Sequence, residues 1–298
     1  MDYTSYLENK NFTKSSIKSH KYTVTNFETW QTKQRLPLSQ ITYNDITTYI
    51  KHLKSKGNKQ RTIQIAIGKL KHYINYQKLQ GNISNISITQ LKIQGVKRQS
   101  LYDILKPEEL EYIYQSYPSE KINLQQQPLT TIQKRNKIIL SLLIYQGITT
   151  TDLGNLRIEH IKLFDGKIDI PETRKSNNRC LKLEPFQILL FQDYTLTARE
   201  QILKEAEKET DKFIVSTGTS DKVLNLLQAL MNQIKKDIPK VKNVKQIRAS
   251  VITNWLKQYN LRETQYRAGH RFVSSTESYK INDIESLQND IMQFSPSI

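Results

Sequence analysis

The stretch Ala268–Tyr279 reads AGHRFVSSTESY. Tyr279 follows the pair Gly269-His270 by nine residues. Between them, Ser274, Ser275, Thr276 and Glu277 carry the Ser-x-x-Glu spacing of a helix start. In that pattern a hydroxyl and a carboxylate three residues apart satisfy free N–H groups reciprocally. The spacing predicts a turn and then a short helix that holds Tyr279 close to His270. Thirty-one residues before Tyr279 stands Arg248, in KQIRAS, with Lys245 three residues ahead of it. One Tyr or His decides little in a chain with 16 tyrosines and five histidines. The ordered set Lys245-x-x-Arg248, Gly269-His270 and Tyr279 is far more specific.

Working outward, a helix over 244–259 puts Lys245 and Arg248 on one face, since they are three residues apart. Val251, Ile252, Trp255 and Leu256 bury the other side. A shorter helix over 261–268 leads into Gly269. Beyond Tyr279, Ile284, Leu287 and Ile291 form one more apolar stripe, a tail helix at about 282–293. Upstream, 138–144 is a nearly continuous apolar run, long enough for a buried helix and too short to span a bilayer. Gly147 stops it and opens GITTTDLGNLRIEHI. Strand character follows: Ile168-Asp169-Ile170 and Cys180 to Leu183 flank TRKSNNR, whose Ser-Asn-Asn suits a turn. Residues 185–208 read as mostly helical with an exposed charged second half (Arg199, Glu200, Lys204, Glu205, Glu207, Lys208). Phe213 to Val215 read as a short edge strand. Residues 223–238 read as an amphipathic helix with Leu226, Leu227, Leu230 and Ile234.

The first 91 residues read as helices separated by turns. Ile17, Val24, Phe27 and Trp30 recur at helical spacing after Thr13-Lys14. Thr42-x-x-Asp45 forms a capping box ahead of Ile46, Tyr49, Ile50 and Leu53, and Gly57 ends that helix. Ile63, Ile67, Leu70 and Ile74 make the next stripe, ending near Gly81. The solvent faces are rich in lysine. Residues 92–106, KIQGVKRQSLYDILK, form a basic connector without a clear period. Pro107 opens a helix through Leu110, Ile113 and Tyr114, and the Gln-rich stretch 118–133 is a loop or insertion. The organisation is therefore 1–91, a linker at 92–106, and 107–298.

The chain has 298 residues and a formal net charge of +17, with a sequence pI of about 9.7. Such an excess favours a polyanionic partner, most simply nucleic acid. Nothing is apolar enough to span a membrane, and no secretory signal pattern opens the sequence. Cys180 is the single cysteine, which excludes an intrachain disulfide and a cysteine metal cluster. These features place the chain in a reducing cytoplasm.

The ordered set resembles the C-terminal half of the tyrosine recombinase (phage integrase) family. There H-x-x-R, then L-G-H, then a nucleophilic tyrosine come in this order and at this distance. The resemblance implies a mainly α fold with a small β-sheet: an N-terminal helical SAM-like domain that clamps DNA, then a mixed α/β catalytic domain. It implies that Tyr279 attacks the scissile phosphate, leaving a 3′-phosphotyrosyl link and a free 5′-hydroxyl. Arg248 is a planar, always-charged fork for two phosphate oxygens. His270 bonds a non-bridging oxygen or positions the phenol. The lysine at the hairpin tip, Lys175, protonates the departing oxygen; counting back from Arg179 selects Arg174 instead, so the register stays open by one. Arg174, Arg179, Lys14, Lys18, Lys59, Arg61, Lys97 and Arg98 are the implied DNA contacts, the linker lying along the duplex.

Two positions depart from the family pattern. Lys245 stands where the box has His, and it remains a cation and a donor. Thr149 stands where the family's first catalytic arginine falls. One lost phosphate donor costs about 10²–10³ in rate, so another cation must stand in or the site is weakened. Arg157 and Arg135 are candidates to replace it. The bond energy is kept in the phosphotyrosine, so neither a cofactor nor a metal is implied.

Three activities fit this pattern. The first is a site-specific recombinase of a mobile element, performing integration, excision or inversion. It would work as a homotetramer on paired double-stranded DNA sites in the bacterial nucleoid, with a DNA-bending accessory protein as a further partner. The second is a cleavage-deficient relative with an architectural or regulatory role. The third is a type IB topoisomerase, which would relax supercoils without a paired site.

Overall fold

The computed structural model describes residues 2–83, 88, 91–95, 102–118, 130–218 and 222–280. The chain divides into two compact units, Met1–Ser100 and Leu101–Ile298. Among the described residues no helix is long and apolar enough to cross a membrane. The tail stripe at 282–293 and the linker residues 96–101 lie outside the described residues.

Four helices build the first unit: α1 (Tyr3–Asn9), α2 (Lys14–Lys33), α3 (Tyr43–Ser55) and α4 (Gln60–Leu79). Each of the last three follows the apolar spacing of the sequence. Thr13 caps α2 by accepting from the Ser16 N–H. The Thr42 and Asp45 box forms as read, with Thr42 N–H donating to Asp45 Oδ2 at 2.8 Å. Gly57 and Gly81 close α3 and α4 at φ +76° and +75°, a region costly for residues with a Cβ. Phe27, Ile46, Ile63, Leu70 and Ile74 are fully buried between α2, α3 and α4. The sequence reading missed α1: seven residues give less than two turns of periodicity, yet Asp2 caps it and Tyr6 and Leu7 are buried.

A smaller aromatic cluster joins α1, α2 and α4. His20 is 4% exposed, its ring 4.8 Å from Phe12 and 5.5 Å from His72, and its Nδ1 is 3.2 Å from the Tyr3 hydroxyl. Burial, then the charges of His72 and Lys69, push its pKa down to about 4. An unfolded histidine takes a proton near pH 6.5, whereas this one resists until about pH 4. The unfolded state therefore gains protons first, and the stability of this unit falls as pH drops below about 6.5. The urea midpoint of the full chain's first transition is expected to be lower at pH 5 than at pH 7. His20→Gln, which keeps a hydrogen-bonding side chain but does not titrate, should shrink the difference; an equal drop in the variant would assign the effect elsewhere.

The second unit is built around a buried helix and a small sheet. In chain order its elements are α5 (Pro107–Gln115), α6 (Thr131–Tyr145), α7 (Thr150–Asn155), β1 (Ile161–Lys162), β2 (Lys167–Ile170) and β3 (Arg179–Lys182). Then come α8 (Pro185–Asp193), a π-helical turn (Tyr194–Ala198), α9 (Arg199–Glu205), α10 (Val223–Asp237), α11 (Val244–Gln258), α12 (Leu261–Ala268) and α13 (Val273–Glu277). The apolar run 138–144 forms the centre of α6, packed by α5, α8, α11 and the π turn. The sheet is antiparallel in the order β1-β2-β3, with Ile168 opposite Leu181 and Ile170 opposite Arg179.

Four expectations are corrected. Phe213 to Val215 form no strand; their carbonyls are taken instead by side chains, Phe213 by the Tyr194 hydroxyl and Val215 by Arg135. Arg199 is not an exposed charge: it is buried and donates to the Lys212 carbonyl. Thr131 to Gln133 belong to α6, where Gln133 completes a capping box with Thr130. The end of the basic connector does not hang free. Leu105 is buried, its N–H donates to Ser250 Oγ and its carbonyl accepts from Asn254, so this stretch is part of the second unit. At the other end, Leu91 and Ile93 pack on the first unit.

Candidate active site

Arg248 is placed by α11, whose Ile247, Val251 and Ile252 are buried on the core. Its guanidinium is used before any ligand arrives. Nη1 donates to the Gly147 carbonyl, and Nη2 donates to the Ala268 carbonyl at 2.7 Å and faces His270 Nε2 at 3.4 Å. Gly147 stands at φ +54°, against Trp255 and Val251, so its backbone can approach Arg248 in a way a larger residue would disturb. Burial lowers the Arg248 pKa; Tyr279, by charge and hydrogen bond, and Asp152 act in the opposite direction.

Gly269 ends α12 in the left-handed conformation, φ +67°. That turn aims His270 back at Arg248. Its N–H bonds to Gln265 O at 3.0 Å, and Gly269 O accepts from the Asn177 N–H at 2.9 Å. Ser176 forms a bridge with His270, so the β2–β3 connection is stitched to the Gly269-His270 backbone. His270 Nδ1 lies 2.8 Å from Thr276 Oγ1. An arginine can only donate, so the contact with Arg248 makes Nε2 the acceptor and leaves the ring proton on Nδ1, shared with Thr276. Burial, then the charges of Arg248 and Arg179, lower the His270 pKa to about 4. At neutral pH the imidazole is uncharged.

Tyr279 stacks on His270, with centroids 5.7 Å apart and planes 13° from parallel. It does not sit on the predicted helix. α13 runs from Val273 to Glu277, with Phe272 at its N-cap position and no side-chain cap, and Tyr279 follows in the turn. Ser274 and Ser275 lie inside the helix rather than ahead of it. Starting there turns Thr276 inward, fully buried, to meet His270.

Thr149 begins α7. Its hydroxyl accepts from the Asp152 N–H and Asp152 Oδ2 accepts from its N–H, a complete capping box. Asp152 is fully buried and pairs with Arg179 Nη2 at 2.9 Å, both side chains out of solvent. This corrects the reading of Arg179 as a DNA contact at the hairpin tip: the residue is 4% exposed, and its guanidinium packs on Gly269. A signal for this lay in the sequence. Along β3 burial alternates, so Arg179 shares the inner face with Leu181 while Cys180 and Lys182 point outward.

The other candidates divide cleanly. Arg174 and Lys175 are exposed at the hairpin tip, and Lys245 is exposed on α11. Lys14, Lys18, Lys59 and Arg61 are exposed at or near the starts of α2 and α4 in the first unit. Lys97 and Arg98 lie outside the described residues. Neither arginine weighed as a replacement reaches this centre: Arg135 is buried on Val215 and Asn136, and Arg157 pairs with Asp211 at 2.6 Å on the surface.

A helical first unit, a buried-helix second unit with a three-stranded sheet, and an Arg-His-Tyr cluster assembled from α11, the Gly269 turn and the residues after α13 define the tyrosine recombinase fold. Residues 1–90 match the N-terminal SAM-like domain of phage integrases. The tyrosine recombinase XerC of Anoxybacillus flavithermus (strain DSM 21510 / WK1) is 23% identical over 274 residues, covering 91% of this chain and 88% of that protein. A tyrosine recombinase of Thermosipho africanus (strain TCF52B) is 23% identical over 93% of this chain and 92% of its own length. Among solved structures, the XerH site-specific recombinase bound to palindromic difH, a post-cleavage complex, aligns with a TM-score of 0.72 at 18% identity. That alignment covers 97% of this chain and 82% of that one.

Proposed function

We propose that this chain is a site-specific DNA recombinase that cuts and rejoins DNA through Tyr279. One observation carries the reading: three side chains from separate segments, Arg248, His270 and Tyr279, converge on one polar centre, the chemistry a phosphoryl transfer needs. The similar proteins XerC and XerH bear the name recombinase, and XerH is seen on its DNA site. A lambda integrase tetramer bound to a Holliday junction also shares the fold, at a TM-score of 0.60. A homotetramer on paired DNA sites is part of the proposal.

In the reaction the Tyr279 oxygen attacks the scissile phosphorus, giving up its phenolic proton to water as the P–O bond to the tyrosine forms, and the bond to the 5′-oxygen breaks. Arg248 neutralises the non-bridging oxygens. A seated anion favours a proton on His270 Nε2, reversing the resting tautomer so that the ring donates to a phosphate oxygen. Lys175, at the exposed hairpin tip, gives its proton to the leaving 5′-oxygen. Lys245 contributes positive charge beside Arg248. Rejoining runs the same steps backwards with another strand's 5′-hydroxyl. The first unit clamps the duplex with the lysines of α2 and α4.

A second reading has one specific observation in its favour. Thr149 is committed to a helix cap and carries no charge, so an architectural DNA-binding role competes. The test separates the two. A duplex site is first selected by binding from a pool of random-core duplexes, then nicked to trap the cleaved state. The active reading expects a covalent protein–DNA band on a denaturing gel, lost in Tyr279→Phe. Binding without a band would leave the architectural reading standing.

A further inference from the structure

We infer that Arg179 supplies the second positive charge of this site, acting through its field on the buried centre rather than by touching the phosphate, in place of the arginine absent from position 149; the inference rests on the recombinase reading above. The count of buried charges requires one. Arg248 is positive, Asp152 is negative, and His270 is neutral at pH 7 because its pKa is about 4. Without Arg179 these groups sum to zero, so the inner part of the site would add no net charge to the exposed Lys175 and Lys245 in stabilising the extra negative charge of a phosphorane. Arg179 restores a net positive centre.

Its placement is specific. Asp152 holds Nη2 at 2.9 Å, and the guanidinium lies against Gly269, the residue before His270. A Cβ built on Gly269 would fall 2.8 Å from Cζ and 3.1 Å from Nε. The charge of Arg179 reaches both Arg248 and His270, lowering the proton affinity of each. Its donors are not exhausted either. Nη1 reaches only the Asn177 carbonyl, at 3.5 Å, and Nε is buried with no partner among the described residues. A buried N–H left unpaired is costly, which marks the guanidinium as held here for its charge rather than for its hydrogen bonds. The hairpin thus brings a cation to the site from β3 where the family pattern has one at the start of α7, and the same strand pairing that positions it leads into the turn carrying Arg174 and Lys175.

The test uses the full chain and the nicked duplex selected above. Adduct formation by Arg179→Ala is expected to fall about 10²–10³-fold, with Arg179→Lys in between. A duplex whose scissile phosphate bears a methyl group in place of one non-bridging oxygen carries no charge there and has little need of a second cation. On that duplex the wild type and Arg179→Ala should differ by less than about 3-fold, a convergence that a misfolded variant cannot produce. Adding Thr149→Arg to Arg179→Ala should recover part of the rate on the ordinary duplex. An equal defect of Arg179→Ala on both duplexes, or no defect on either, would overturn the inference while leaving the recombinase reading intact. If the wild type itself forms no adduct, both fall together.

Discussion

Asp152→Ala is expected to destabilise the second unit by about 3–5 kcal/mol, because it leaves the Arg179 guanidinium charged and unpaired in a site that water does not reach. The pair is not itself a strong source of stability. Taking both charges out of water costs nearly what their attraction returns. The loss comes from breaking it on one side. Asp152→Ala should therefore be substantially rescued by Arg179→Met, a long apolar side chain that can fill the same space, and a double-mutant cycle in urea gives the coupling directly. The alanine variant also removes half of the Thr149 capping box, worth about 1 kcal/mol. Additive losses in the double variant would show that the pair is not coupled and that the cap carries the effect. The acid side has a sign of its own. Burial raises the Asp152 pKa, but the Arg179 charge and hydrogen bond, the Thr149 N–H and the Arg248 charge outweigh it and hold the carboxyl below its ordinary value of 3.8. A depressed carboxylate stabilises above its unfolded pKa and fades as pH falls through the folded one. The Asp152 contribution should hold down to about pH 4 and disappear in more acidic solution.

Much of this architecture was open to reading because it is local. Thr42 and Asp45, or Pro107 ahead of Leu110 and Ile113, state a helix start within a few residues, and apolar spacing then says which face is buried. The order of Arg248, His270 and Tyr279 was equally legible, and the structure places them around one centre. What escaped was whatever depends on pairings far apart in sequence. The exposed look of TRKSNNR comes from its charges, but the burial of Arg179 is decided by Asp152, 27 residues earlier, and by Gly269, 90 residues later. Thr149 was read as a gap in a phosphate site; in the fold it is a completed cap, and its partner Asp152 in turn holds the cation that the gap called for. Tyr279 was assigned to a helix on the strength of Ser274 and Glu277. The burial of Thr276 against His270 sets the helix earlier, and no local signal reports that contact.

Gly269→Ala tests how tightly these parts are joined. Alanine meets two costs at this position. At φ +67° a Cβ crowds its own backbone, for about 1–2 kcal/mol. The Cβ also lands 2.8 Å from Arg179 Cζ and closer still to Nη1. An exposed arginine would swing aside, but this one is fixed by Asp152 and has no solvent to enter. Either Arg179 leaves Asp152 or the α12–α13 turn shifts, and a shifted turn carries His270 and the Asn177 bond with it. A total loss of about 3–5 kcal/mol is expected, with adduct formation reduced beyond what the fall in folded fraction explains. Removing the obstruction separates the terms. In an Arg179→Met background the added cost of Gly269→Ala should shrink toward the backbone strain alone, because the rigid ion-paired group is gone. If the penalty of Gly269→Ala is the same with and without Arg179, the glycine serves only the helix end, and the packing of the guanidinium on it has no energetic weight.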